Sequence, residues 1–230
     1  MTGRSPDDGL SSPLVRAVVF DLDGVLVDTE IWWDEVRLGF AAAFGRRWTE
    51  ADRAAIMGSN THQWSARMKH RLGLEMPEEE IARAVIDGML IRYAMEGAPA
   101  LDGAVDAVRR LSGRYALAVA SSAPPRVVEA ALSGLGVRDL IEAVASSDEV
   151  ARGKPAPDVF LLAAKRLAVD PAACLVAEDS LNGVLAARTA GMRVALVPNA
   201  SIPPPVGARE AATYVIASLR DLDPERLTGR

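Results

Sequence analysis

Two carboxylates one residue apart, Asp21 and Asp23, close the apolar run Val18-Val19-Phe20 and precede Gly24. The run reads as a buried strand, and the glycine as the turn that ends it. Strand alternation puts Asp21 and Asp23 on one side. Two unpaired carboxylates inside a core would be costly. At the open end of a strand they can share a metal ion and do chemistry. Capping of the following turn is the alternative use for aspartates in that position.

Three other stretches carry matching chemistry. The apolar run 116–120 ends in Ser121-Ser122, the run 174–177 ends in Glu178-Asp179-Ser180, and a loop carries Gly153-Lys154-Pro155. Ligands of an open parallel sheet bind beyond the carboxyl ends of its strands, where all these groups would converge. Oxygen ligands from Asp21, Glu178 and Asp179 suit Mg²⁺. Asp23 would give the metal its backbone carbonyl and keep its carboxyl free. Lys154 would neutralise charge on a nucleophile and a phosphate, and Pro155 restricts the backbone that aims it. Ser121, with Ser122 beside it, offers a hydroxyl, and the helix that follows offers backbone N–H groups to an anion. The set fits phosphoryl transfer.

The elements that must position these residues are legible as alternating strands and helices. Strand-like runs cover 17–21, 116–120, 174–177 and 194–197, with weaker ones at 143–145 and 214–217. Amphipathic segments cover 104–111, 126–135, 158–167 and 184–190. That alternation predicts an α/β fold, a Rossmann-like parallel sheet with helices on both faces. From Ile31 to Met95 the rhythm breaks into helical signals only. Segment 31–44 is one helix candidate, Thr49 with Asp52 resembles a helix start, and Pro77 before Glu78-Glu79-Glu80 starts another. Trp32, Trp33 and Trp64 lie in this insert, and Trp48 in a turn of it. The expected organisation is core 14–29, an all-helical cap 30–97, core 98–230, and a loose tail 1–13. The hinges are expected near 29–31 and 97–101. Pro203-Pro204-Pro205 reads as a stiff connector.

Composition bounds the function. The chain has 230 residues, half of them hydrophobic and a quarter charged, an ordinary globular balance. A net charge of −5 and the lack of a basic run argue against a broad nucleic-acid surface. Cys174 is the single cysteine, so no disulfide within the chain is possible, which suits a reducing cytoplasm. Its apolar neighbours mark it as a buried small side chain. No apolar stretch is long enough to span a membrane, and residues 1–13 lack a signal-peptide core.

Taken together, the four stretches resemble the haloacid dehalogenase superfamily, and more narrowly its phosphatases and phosphomutases with a helical cap. Asp21-Leu22-Asp23-Gly24-Val25-Leu26-Val27-Asp28-Thr29 is similar to the first motif, Val119-Ala120-Ser121-Ser122 to the second, Gly153-Lys154-Pro155-Ala156-Pro157-Asp158 to the third, and Val176-Ala177-Glu178-Asp179-Ser180-Leu181-Asn182-Gly183 to the fourth. The order and spacing run from about Arg16 to Leu222. The resemblance implies that Asp21 attacks phosphorus to form an aspartyl-phosphate and that Asp23 protonates the leaving oxygen, then takes a proton from water. It also implies that Mg²⁺, held by Asp21, Asp23, Asp179 and Glu178 (directly or through water), offsets anionic repulsion. An acid at Asp23 disfavours carbon–halogen hydrolysis.

Within that resemblance, sugar phosphomutases carry a His shortly after the first motif and an Arg in the cap loop. Trp33 and Thr61 stand at those places here, which favours hydrolysis of a small phosphorylated metabolite such as a sugar phosphate. A β-phosphoglucomutase-like mutase and a noncatalytic phosphometabolite-binding protein are the competing readings. Asn60, Thr61 and His62 are the expected specificity residues, and Thr29 belongs to the hinge or faces substrate. Gln63, Trp64, Arg67 and Lys69 are weaker candidates of the same kind. No nucleic-acid or membrane partner is expected, and the chain is expected to be a monomer or homodimer.

Overall fold

A computed structural model describes residues 14–56, 58–199 and 206–229. The tail 1–13, Met57 and the 203–205 connector lie outside the described residues. Six parallel strands form one sheet in the order β3-β2-β1-β4-β5-β6. They are β1 (Ala17–Phe20), β2 (Ala116–Ser121), β3 (Ala143–Ser146), β4 (Cys174–Glu178), β5 (Arg193–Leu196) and β6 (Tyr214–Val215). The β6 edge strand is shorter than the expected 214–217, because only Tyr214 and Val215 find partners, opposite Ala195 and Leu196 at the end of β5.

Strand alternation sorts the core into two layers. Val18, Phe20, Leu117, Val119 and Leu175 pack on one face, and Ala17, Val19, Ala118, Cys174 and Val176 on the other. The second face is rich in alanine, so helices α7 (Asp158–Leu167) and α8 (Leu181–Thr189) can lie close to it. The first face takes α5 (Ala104–Leu111) and α6 (Pro125–Gly134). Buried Cys174 has its thiol pushed up to about 11 by desolvation, so it stays protonated and packs as a small apolar side chain.

Helices α1 (Glu30–Ala43), α2 (Glu50–Ile56), α3 (Thr61–Leu72) and α4 (Glu78–Glu96) fill the interval between β1 and α5. Trp33, Trp48, Trp64, Met68, Ile81, Val85 and Met89 form their common interior. Gly88 on α4 admits α1: a Cβ there would lie 2.7 Å from Val36 Cγ1. Asp52 accepts from both the amide (2.9 Å) and the hydroxyl (2.7 Å) of Thr49, which fastens the start of α2. Pro77 stands one residue before α4, at its cap. The chain enters and leaves this insert side by side. Val27 and Ala100 form an antiparallel bridge, flanked by hydrogen bonds from Asp28 N to Pro99 O (2.9 Å) and from Leu101 N to Leu26 O (3.1 Å).

Candidate active site

Register aligns the strand ends. Phe20 is level with Val119 on β2 and Ala177 on β4, so Asp21 and Glu178 leave the sheet side by side. The chain turns away to opposite sides of β1 at this point, the switch where an open α/β sheet forms a crevice.

Lys154 reaches this point from the loop before α7. Its Nζ lies 2.6 Å from Asp21 Oδ1 and 2.8 Å from Glu178 Oε1, with all three side chains nearly or wholly buried. Burial alone would lower the lysine pKa, but the two carboxylates outweigh it and push it up. Glu178 also accepts from Ser180 N (2.6 Å) and Ser180 Oγ (2.9 Å). Ligand oxygens of Asp21, Glu178 and Asp179 all lie within 4.8 Å of one another. Desolvation pushes the Asp21 carboxyl up to about 7, against the pull of Lys154. Desolvation and the neighbouring Glu178 and Asp21 push Asp179 well above the ordinary carboxylate range. Three hard oxygens crowded at the strand ends, with one ammonium among them, fit a divalent cation with an oxygen preference.

Two glycines make the crowding possible. A Cβ on Gly24 would lie 2.1 Å from Asp179 Oδ2, and one on Gly183 would lie 1.6 Å from Glu178 Oε1. Gly24 also has φ +83°, which favours glycine. Gly183→Ala must therefore displace Glu178 from Lys154 and Ser180. An overpacking cost of about 1–3 kcal/mol predicts a Tm lower by roughly 2 °C or more. A melting curve that matches the parent would show that Glu178 has room to move.

Asp23 is placed differently. Its Oδ1 accepts from Thr29 Oγ1 and, at 3.0 Å, from Trp33 Nε1. Its carboxyl does not belong to the metal-competent group of Asp21, Glu178 and Asp179. Burial raises its pKa, opposed by the two hydrogen bonds.

These groups open into a cleft of about 210 Å³, a space for a small metabolite. The strand-end wall holds Asp21, Asp23, Ser122, Lys154, Glu178 and Asp179; the facing wall comes from the insert and holds Glu30, Trp33, Arg37, Arg53, Ser59 and Trp64. Ser121 is fully buried behind Ser122, its Oγ accepting from Ala123 N at 2.9 Å. Three residues expected at the substrate are engaged elsewhere. Asn60 caps α3 by accepting from Gln63 N (3.0 Å), and Gln63 returns a bond to the Asn60 amide. Thr61 N donates to Asp148 Oδ1 on the core, 2.8 Å away. His62 has a side chain 82% exposed beside Glu78. Thr29 is buried and serves Asp23 rather than the cleft surface. Sequence reasoning missed Glu30, Arg37 and Arg53. The i, i+3, i+7 spacing of Glu30, Trp33 and Arg37 was the available signal, since it places them on one helix face.

A family model described as haloacid dehalogenase-like hydrolase matches residues 15–191. The probable pseudouridine-5'-phosphatase of Drosophila melanogaster is 36% identical over 221 residues, 92% of this chain and 93% of its own. Hexitol phosphatase B of Escherichia coli (strain K12) is 34% identical over 192 residues, 80% of this chain and 84% of its own. A bifunctional riboflavin kinase/FMN phosphatase of Arabidopsis thaliana is 32% identical over 93% of this chain, which spans 56% of that longer protein. The crystal structure of CbbY from Rhodobacter sphaeroides in complex with phosphate superposes with a TM-score of 0.81 at 26% identity, over 91% of this chain and 96% of that one.

Proposed function

The chain belongs to the haloacid dehalogenase-like hydrolases and is a phosphoric monoester hydrolase; on that premise we propose that it is a Mg²⁺-dependent phosphatase of a small phosphorylated metabolite, a sugar phosphate above all, working through an aspartyl-phosphate on Asp21. The observation that carries this reading is the division of labour between the two aspartates. Asp21 is paired with Lys154 and grouped with Glu178 and Asp179, while Asp23 stands outside the group.

Asp21 attacks phosphorus from an oxygen held in place by Lys154, whose charge also draws the phosphate in. Asp21, Glu178 and Asp179 would hold Mg²⁺, with the Asp23 main-chain carbonyl as a further ligand, and the ion would offset the repulsion between these carboxylates and the anionic substrate. Asp23 gives its proton to the departing ester oxygen and later takes one from the water that attacks the aspartyl-phosphate. Thr29 and Trp33 hold Oδ1, which leaves Oδ2 as the oxygen that moves the proton. Ser122 and the N–H groups opening α6 receive phosphate oxygens. Residues 30–97 act as the lid, turning on the paired linkers and excluding water during the first transfer.

Trp33 and Thr61 favour hydrolysis over mutase chemistry. An indole N–H donates and cannot accept or relay a proton, and the Thr61 amide is occupied by Asp148. The test is a panel of phosphomonoesters assayed for released phosphate with and without Mg²⁺, alongside a hexose 1-phosphate isomerisation assay. Mg²⁺-dependent phosphate release supports the reading. Isomerisation with no released phosphate would replace it with the mutase, and turnover of nothing on the panel would favour a binding protein.

A further inference from the structure

The lid wall of the cleft carries three cations' worth of chemistry when Lys154 opposite is included, and two of them are already matched. Lys154 is paired with Asp21 and Glu178. Arg53 is paired with Asp34 at 3.1 Å and with Glu50. Arg37 makes no ion pair and no hydrogen bond among the described residues; its Nε is buried without a partner. Its guanidinium carbon instead lies 4.9 Å from the centre of the Trp33 ring and 5.5 Å from that of Trp64.

Two indoles beside the guanidinium attract its charge and hold it without using its N–H groups. Arg37 lines the cleft, and with Nε buried its terminal nitrogens are the donors left for a ligand. A planar fork of N–H donors held at a fixed angle matches the two oxygens of a carboxylate or phosphate. Glu30, Asp34 and Asp23 face Arg37 from α1 and the β1 turn without touching it. Burial, with repulsion from Asp23, pushes the Glu30 carboxyl up to about 7, so near neutral pH it cancels only part of the arginine's charge. Partial desolvation of an unpaired guanidinium is costly and becomes more so when a substrate fills the cleft, unless the substrate brings the anion.

We propose that Arg37, set against the Trp33 and Trp64 rings, forms a second anion subsite, and that the preferred substrate is a phosphate ester bearing another carboxylate or phosphate away from the scissile group. This names a substrate class within the phosphatase reading and rests on it. The ester phosphate lies at Asp21 and Lys154; the second anion meets the Arg37 fork on the opposite wall. With no charge at Thr61, α1 rather than the loop before α3 reads the far end of the substrate.

The experiment compares matched esters differing at the far end: 3-phosphoglycerate with glycerol 3-phosphate, 6-phosphogluconate with glucitol 6-phosphate, and fructose 1,6-bisphosphate with fructose 1-phosphate. The first two pairs read a carboxylate and the third a phosphate. In at least one pair the anionic member should have a kcat/KM about ten- to a hundredfold higher, the range of one charge-assisted contact. Arg37→Gln should bring that ratio to near one, and Arg37→Lys should restore part of it. A merely structural arginine would lower both members together and leave the ratio standing, which overturns the proposal; so does a parent enzyme with no preference in any pair. Calorimetric binding of the same pairs to Asp21→Asn with Mg²⁺, with and without Arg37→Gln, separates the two levels. An Arg37-dependent preference in binding without turnover keeps the subsite and removes the phosphatase reading. Turnover in which binding shows no such preference removes the subsite alone.

Discussion

Asp21→Asn should lower phosphate release by on the order of 10⁴-fold or more, the scale seen when a covalent nucleophile is removed. The amide keeps the shape of the side chain but is a far weaker nucleophile toward phosphorus. The fold should survive. Lys154 keeps its partner Glu178 at 2.8 Å, and one of three crowded carboxylates becomes neutral. The measurement is a steady-state assay on the best ester from the panel, with a thermal melt of the same preparation. A residual rate within tenfold of the parent would remove Asp21 as the nucleophile, whatever the melt shows.

Lys154→Met carries the second large effect, on stability as well as on rate. Removing one partner of a buried ion pair costs about 3–5 kcal/mol, because Asp21 and Glu178 lose their shared cation. The loss should depend on pH with a definite sign. Asp21 is pushed up to about 7 when folded, from an ordinary value of 3.8. A carboxyl raised on folding stabilises the native state below its unfolded pKa, and that contribution disappears as pH rises through the folded value. Lys154 lowers the folded value, so without it the loss of stability continues to higher pH. Denaturant melts in EDTA should therefore show a gap between parent and variant that is small at pH 5 and widens to pH 8. Saturating Mg²⁺ should narrow it at the upper end. A gap constant across that range would mean that Lys154 stabilises by packing over the Phe160 ring, 4.9 Å from its Nζ, rather than by charge.

Much of the core architecture follows from local signals. Strands that are buried on both faces read as unbroken apolar runs, and where such a run stops at Asp21 or Glu178 the change of chemistry is visible in one dimension. Lys154 was legible through its motif, although its partners are 133 and 24 residues away. The insert was legible as helix and much less so as surface. Asn60 followed by Gln63 fits a local helix-capping pattern that competes with a substrate role, whereas nothing local says that His62 points outward. Arg37 was passed over, because one of the two indoles beside it comes from α3 and only the fold brings it there. That the Trp33 N–H meets Asp23 depends on how α1 leaves the turn after β1.

The bridge between Val27 and Ala100 means that the two ends of the helical insert meet at a single point on the core. A polypeptide loop whose ends already touch costs the host fold little beyond a slowly growing closure entropy. A short turn joining Asp28 to Pro99 would leave β1, Asp21 and Asp23 on the same path, but it would remove Thr29 and Trp33, the two donors to Asp23 Oδ1. A different helical unit grafted at the same point would inherit the strand-end carboxylates and would have to bring its own donors to Asp23.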